Sequence, residues 1–91
     1  MNNSSEPKKN IIPTYVVKSV TPNDDFTLTL VFATGEKKIF DMRPQIQSYV
    51  FYAPLADIDT FKCAHIEGPS VAWYDMLDIA PETLYAGSVS A

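Results

Sequence analysis

Phe26-Thr27-Leu28-Thr29-Leu30-Val31-Phe32-Ala33-Thr34-Gly35-Glu36-Lys37-Lys38-Ile39-Phe40-Asp41-Met42 is the stretch that decides the fold. Phe26, Leu28, Leu30 and Phe32 alternate with Thr27, Thr29, Val31 and Ala33, the period of two that marks a half-buried strand. Lys38, Phe40 and Met42 continue the even positions beyond Thr34-Gly35. Parity then selects the loop. A two-residue loop pairs even with odd positions and sets Leu30 against Ile39. A three-residue loop pairs even with even, so that Leu28 and Leu30 share a face with Phe40 and Met42. The second arrangement is expected, with Gly35 supplying the positive φ of a bulged hairpin.

On the N-terminal side, residues 15–20 are short and β-branched, and Thr21-Pro22-Asn23-Asp24 reads as a turn. Three consecutive strands then form an antiparallel meander whose even face needs an apolar cover. The segment that follows can supply it. Pro44 opens one helical turn through Gln45-Ile46-Gln47, and Tyr49-Val50-Phe51-Tyr52 is an apolar run closed by Ala53-Pro54. Asp57 has the place of an N-cap, with Leu55, Ile58 and Phe61 spaced by three.

Further on, two short strands flank Gly68-Pro69. A four-residue loop from Glu67 to Ser70 sets Ile66 against Val71 and Ala64 against Trp73. Cys63, His65, Glu67, Ala72 and Tyr74 then share the outer face. Residues 78–85 read as a last helical turn: Asp78 caps it, Pro81 takes its first position, Glu82 favours its positive end and Gly87 stops it. The predicted core is Leu28, Leu30, Phe32, Phe40, Ile66, Trp73 and Leu84. The fold class is α+β: a three-stranded antiparallel β-meander with short helices and a second β-hairpin. It forms a single small domain over residues 13–87, between a flexible N-terminal tail at 1–12 and a frayed end at 88–91.

Composition narrows the function. The 91 residues carry a formal net charge of −4 with seven Lys and Arg. Nucleic-acid affinity comes largely from cations neutralising phosphates, so no direct nucleic-acid partner is expected. No window approaches the roughly 18 apolar residues of a membrane helix, so no membrane partner is expected. A single cysteine, Cys63, excludes an intramolecular disulfide, and the cytoplasm is the expected location. Three scattered glycines form no phosphate-cradling loop, and no cofactor is expected.

The candidate chemistry is sparse. Cys63, His65 and Glu67 point the same way on a strand, but a structural zinc site needs a second ligand pair. Cys63 with His65 lacks an orienting group and an oxyanion site. Asp75, Asp78 and Glu82 form the densest acidic cluster, at positions that turn and capping chemistry explains. No catalytic or metal-binding residue is therefore assigned. The aromatic residues are more informative: five Tyr, five Phe and one Trp exceed what a thin core hides. If 49–52 is extended, alternate side chains face apart and some protrude. The candidate interaction surface is Cys63, His65 and Tyr74 on the hairpin, with Tyr49, Phe51 and Tyr52 on the apolar run. The expected function is a non-enzymatic protein-interaction or regulatory module with a protein partner, self-association included. The alternatives are a small-ligand-binding domain with a pocket near Trp73 and Tyr74, or an accessory enzyme subunit using Cys63, His65 and the acidic groups.

Trp73, Asp78, Ile79, Pro81, Glu82, Leu84 and Tyr85 resemble the closing motif of an uncharacterised bacterial family catalogued as domain of unknown function 2442. The hairpin from Phe26 to Glu36 and the following Phe40-Asp41-Met42-Arg43-Pro44 are also similar to it, so the resemblance covers about residues 15 to 86. It implies an α+β domain with no assigned activity. In that family such a domain is sometimes joined to a helix-turn-helix module or encoded beside small toxin-like proteins, which implies a toxin–antitoxin association. The chain departs from the pattern at Tyr74 and Met76, where many relatives have Pro and Gly. Ala80 also departs, removing a side-chain cap from the last helix.

Overall fold

In the computed structural model, residues 15–74 and 77–91 are described. The tail expected over residues 1–12, and Asp75 and Met76, lie outside the described residues. Strands β1 (Val17–Pro22), β2 (Thr27–Phe32) and β3 (Lys37–Asp41) form the expected antiparallel meander. The β2–β3 register pairs Leu28 with Phe40 and Leu30 with Lys38, even with even. The loop is the three-residue bulged type: Phe32 N–H donates to Glu36 O at 2.9 Å, Gly35 N–H donates to Phe32 O at 2.8 Å, and Gly35 has φ +95°.

The β1–β2 loop repeats this geometry. Asn23 N–H donates to Thr27 O (2.8 Å) and Phe26 N–H donates to Asn23 O (3.2 Å), the same two bonds in the same order. The left-handed position occupied by Gly35 in one loop is occupied by Phe26 in the other, at φ +64°. The turn therefore lies two residues later than Thr21-Pro22-Asn23-Asp24 indicates, and Thr21 and Pro22 are strand residues. Polar side chains fix the loop: Thr27 Oγ1 donates to Asp25 Oδ1 (2.6 Å), and Asn23 Nδ2 donates to Thr27 Oγ1 (3.0 Å) and Thr29 Oγ1 (2.9 Å).

Helix α1 (Arg43–Ser48) has Pro44 in its first turn, starting one residue earlier than expected. The apolar run 49–52 is not extended. It enters a 3-10 helix, Val50–Ala56, with Tyr52 N–H donating to Tyr49 O (3.0 Å). With three residues per turn, Tyr52 and Leu55 turn toward the core, while Val50, Ala53 and Ala56 share an outer stripe. Asp57 caps α2 (Ile58–Phe61), accepting from Thr60 N at 3.1 Å and Thr60 Oγ1 at 2.8 Å.

The second sheet is β4 (His65–Glu67), β5 (Ser70–Tyr74) and β6 (Leu77–Ile79), in that order. Ile66 pairs with Val71 as expected, and Glu67 and Ser70 also pair, shortening the loop to Gly68-Pro69. Asp78 is not a helix cap. It lies in β6 opposite Ala72, and Leu77 and Ile79 on either side of it are buried, a short period-two pattern. Helix α3 (Pro81–Gly87) starts after Ala80, which offers no side-chain cap. Val89–Ser90, expected to fray, form β7 on the outer edge of β3, and Ala91 N–H donates to Lys37 O at 3.0 Å. Backbone groups on an open strand edge gain partners this way. Gly87 is also more than a stop: a Cβ there lies 2.7 Å from Phe40 Cε1, so the helix end approaches the ring as only glycine permits.

The two sheets and the connection close on one core. Leu28, Leu30, Phe32, Phe40 and Met42 meet Leu55 and Phe61 from the connection, Val71, Trp73, Leu77 and Ile79 from the second sheet, and Leu84 from α3. Ile66, predicted as core, is half-buried at its margin. Trp73 Nε1 donates to Phe61 O at 2.9 Å, so the one indole N–H is satisfied inside the core.

Candidate functional site

The hairpin face does not assemble reactive groups. His65 Nδ1 faces Cys63 O at 3.0 Å; a carbonyl only accepts, so this nitrogen carries the proton. Nε2 faces Glu67 Oε1 at 3.5 Å. The Cys63 thiol turns the other way and donates to Asp59 O at 3.4 Å. The imidazole is thus bound to the cysteine's backbone, not aimed at its sulfur. Among the described residues no three His, Cys, Asp or Glu side chains cluster closely enough to hold a metal ion. Tyr74 is exposed, but Ala72, expected beside it on an open face, is buried. Its small side chain lies between His65 on β4 and Asp78 on β6, and longer neighbours shade it. This face is broken in the middle.

The apolar run gives a continuous surface. Val50 is 92% exposed, Tyr49 56% and Phe51 53%. Tyr52 is half-buried and serves as their mount. Its ring lies 5.0 Å from Phe51 and 6.4 Å from Tyr49, near-perpendicular to both. Its hydroxyl donates to Asp78 O at 2.9 Å, tying the 3-10 helix to the edge of the second sheet. Burial, with the nearby Asp78 charge, raises the Tyr52 phenol above its ordinary value, which keeps this donor protonated. Of the six candidate surface residues, Tyr49 and Phe51 are therefore presented and Tyr52 presents them. His65 and Tyr74 stand apart on the second sheet, and Cys63, expected on the same strand face, lies instead in the turn between α2 and β4, where its N–H donates to Thr60 O.

A feature outside those six adjoins the run. Phe26, Arg43, Ile46, Gln47 and Ala56 line an open groove of about 310 Å³. Arg43, Ile46 and Gln47 come from one face of α1, where residues three and four apart are neighbours. Phe26 enters from the strained loop and packs on Phe61 with ring centroids 5.3 Å apart. Arg43 is clamped by Asp41: Nε to Oδ1 at 2.9 Å and Nη2 to Oδ2 at 2.8 Å. The guanidinium hydrogen bond holds the Asp41 carboxyl below its ordinary range, and the same contact raises Arg43. Of the two residues named for the alternative ligand pocket, Trp73 is buried and Tyr74 is exposed, and neither lines this groove. The spacing of Arg43, Ile46 and Gln47 was the available sequence signal for the groove, but nothing in the sequence joins Phe26 to it.

No helix among the described residues is long and apolar enough to cross a membrane. Residues 17–90 match the family model described as "Protein of unknown function (DUF2442)", and the chain belongs to that family. No curated protein and no solved structure matches it.

Proposed function

We propose that this DUF2442 domain is a non-enzymatic protein-interaction module of the cytoplasm, working through Tyr49, Val50 and Phe51. The observation that carries the reading is the exposure of these three apolar residues side by side, on a mount fixed by Tyr52. Residues 44–56 are also the longest uncharged stretch of the chain. Depletion of charge with enrichment of aromatic residues is the composition of interface centres. An exposed apolar patch on an otherwise charged surface needs a partner to leave water.

The test is site-specific photo-crosslinking in the native cell. A benzophenone side chain in place of Phe51 should capture a discrete protein adduct, and the same group at exposed Lys18 should not. Absence of any adduct from 49, 50 and 51 overturns the proposal.

A further inference from the structure

The meander has a second face that the core does not use. The odd residues of β2 and β3 point away from the core in facing pairs: Thr27 with Asp41, Thr29 with Ile39, and Val31 with Lys37. Val89 on β7 continues the middle row beside Ile39. Among the described residues, Val31, Ile39 and Val89 belong neither to the core nor to the apolar side chains packed against it. One end of this band is acidic. Asp25 accepts from Thr27 Oγ1 and Asp41 lies opposite Thr27, so two carboxylates flank that residue, and Arg43 balances one of them. The other end, at Val31, is where the chain enters the sheet. Val16 O accepts from Ala33 N–H at 2.8 Å, and Tyr15 just before it lies in a turn. The chain therefore changes direction at the edge of this face.

The sequence ahead of that turn fits the face in polarity and in length. Ile11 and Ile12 are β-branched, and Lys8 and Lys9 are two of the chain's seven Lys and Arg. In an extended segment Lys8 and Ile12 point the same way, roughly 13 Å apart, and Thr27 and Val31 have the same spacing on β2. With Ile12 over Val31, Lys8 lies over the acidic end between Asp25 and Asp41. Pro13 and Thr14 then complete the reversal into β1. From this juxtaposition we propose that the outer face of the meander is the docking site of the chain's own residues 8–12, which lie outside the described residues, running antiparallel to β1. A tethered segment meets its site at an effective concentration in the millimolar range, so a contact too weak to hold a free peptide suffices. A second copy of net charge −4 lacks the tether and is repelled besides. The docked segment shields this face and leaves Tyr49, Val50 and Phe51 as the open apolar surface.

The experiment uses the full chain with Cys63→Ser and a nitroxide on Pro7→Cys, one residue before Lys8, so that both docking side chains remain. In the docked chain the nitroxide should erase the amide signals of Thr27 and Asp41 and leave those of Ala33 and Gly35. An undocked tether of eight residues reaches only about 16 Å from its anchor at Tyr15. The signals of Ala33 and Gly35 are then lost first, and that pattern overturns the proposal. Ile12→Ser with Lys8→Glu, two changes outside the folded core, should convert the first pattern into the second. A double variant that keeps the first pattern overturns the proposal as well. Mixing nitroxide-bearing chains with isotope-labelled chains that carry none tests the other occupant. Signal loss at Thr27 and Asp41 of the isotope-labelled copy assigns the face to a second copy and overturns the proposal, and unchanged signals support docking within one chain.

Discussion

Gly87→Ala is the substitution for which helix propensity and packing give opposite signs. Alanine is preferred over glycine by about 1 kcal/mol in a helix interior, and less at its last residue, where position 87 lies. Gly87 has no positive φ that would by itself exclude alanine. The new methyl, however, lies 2.7 Å from Phe40 Cε1 and 3.4 Å from Cδ1, against an optimum of about 3.5–4.0 Å between carbons. Neither side can retreat. Phe40 is buried opposite Leu28. Helix α3 is held by Tyr85, whose hydroxyl donates to Glu36 at 2.7 Å and whose ring lies 4.1 Å beneath Lys38 Nζ, and by β7, which follows α3 and pairs with β3. Overpacking of this kind costs about 1–3 kcal/mol, which exceeds the propensity gain. A net loss of about 1–2 kcal/mol lowers the melting temperature by about 5–10 °C in a domain of this size. Differential scanning calorimetry of four proteins tests the cause: wild type, Gly87→Ala, Phe40→Leu and the double variant. Phe40→Leu removes the obstructing ring edge, so Gly87→Ala should be neutral or stabilising in that background, a coupling of about 1 kcal/mol or more. A Gly87→Ala protein that melts at or above wild type refutes the steric reasoning.

Four other outcomes follow from the same packing. Leu30→Ala, at a fully buried position, should cost about 2–5 kcal/mol in urea denaturation. Phe26→Gly should be more stable than Phe26→Ala by about 1 kcal/mol in the same assay, because both lose the ring but only alanine keeps the left-handed strain. Asp57→Ala should lower stability by about 1 kcal/mol through loss of the α2 cap, and Asp57→Asn should retain most of it. Glu36 is held below its ordinary value chiefly by the Tyr85 hydroxyl, so carbon-13 titration should show its carboxyl rising in Tyr85→Phe. A depressed carboxylate stabilises fully above its unfolded pKa and loses that contribution as pH falls through its folded one, so the acid limb of stability should be shallower in Tyr85→Phe.

The β2–β3 hairpin was legible because two independent signals agreed: the even-position alternation from Leu28 to Met42, and a glycine where the loop turns left-handed. The β1–β2 loop lacked the second signal. Its left-handed residue is a phenylalanine, and Pro22-Asn23 drew the expected turn two residues early. Strand β6 was missed because Leu77, Asp78 and Ile79 are too few to display a period beside a strong helix start at Pro81. The run 49–52 has four apolar residues and no polar partner to set a phase, so strand and 3-10 helix were not separable by pattern. Exposure at Tyr49 and Phe51 followed from aromatic surplus alone. The role of Tyr52 did not, because its hydroxyl bonds a backbone atom 26 residues away.

Phe26 is where loop and groove make opposing demands. Gly35 shows what the three-residue loop prefers at that position, and the β1–β2 loop could take the same residue at lower backbone cost. A glycine there would remove the ring that packs on Phe61 and with it one wall of the groove. The strain is held by the ring's packing and by the Asp25, Thr27 and Asn23 bonds that close the loop. Helix α1 faces that ring across the groove with Arg43, Ile46 and Gln47, and the 3-10 helix carries the wall on to Ala56 and Val50. The meander's first loop and the irregular connection thus build one surface from segments distant in sequence. That is why no linear motif announced it.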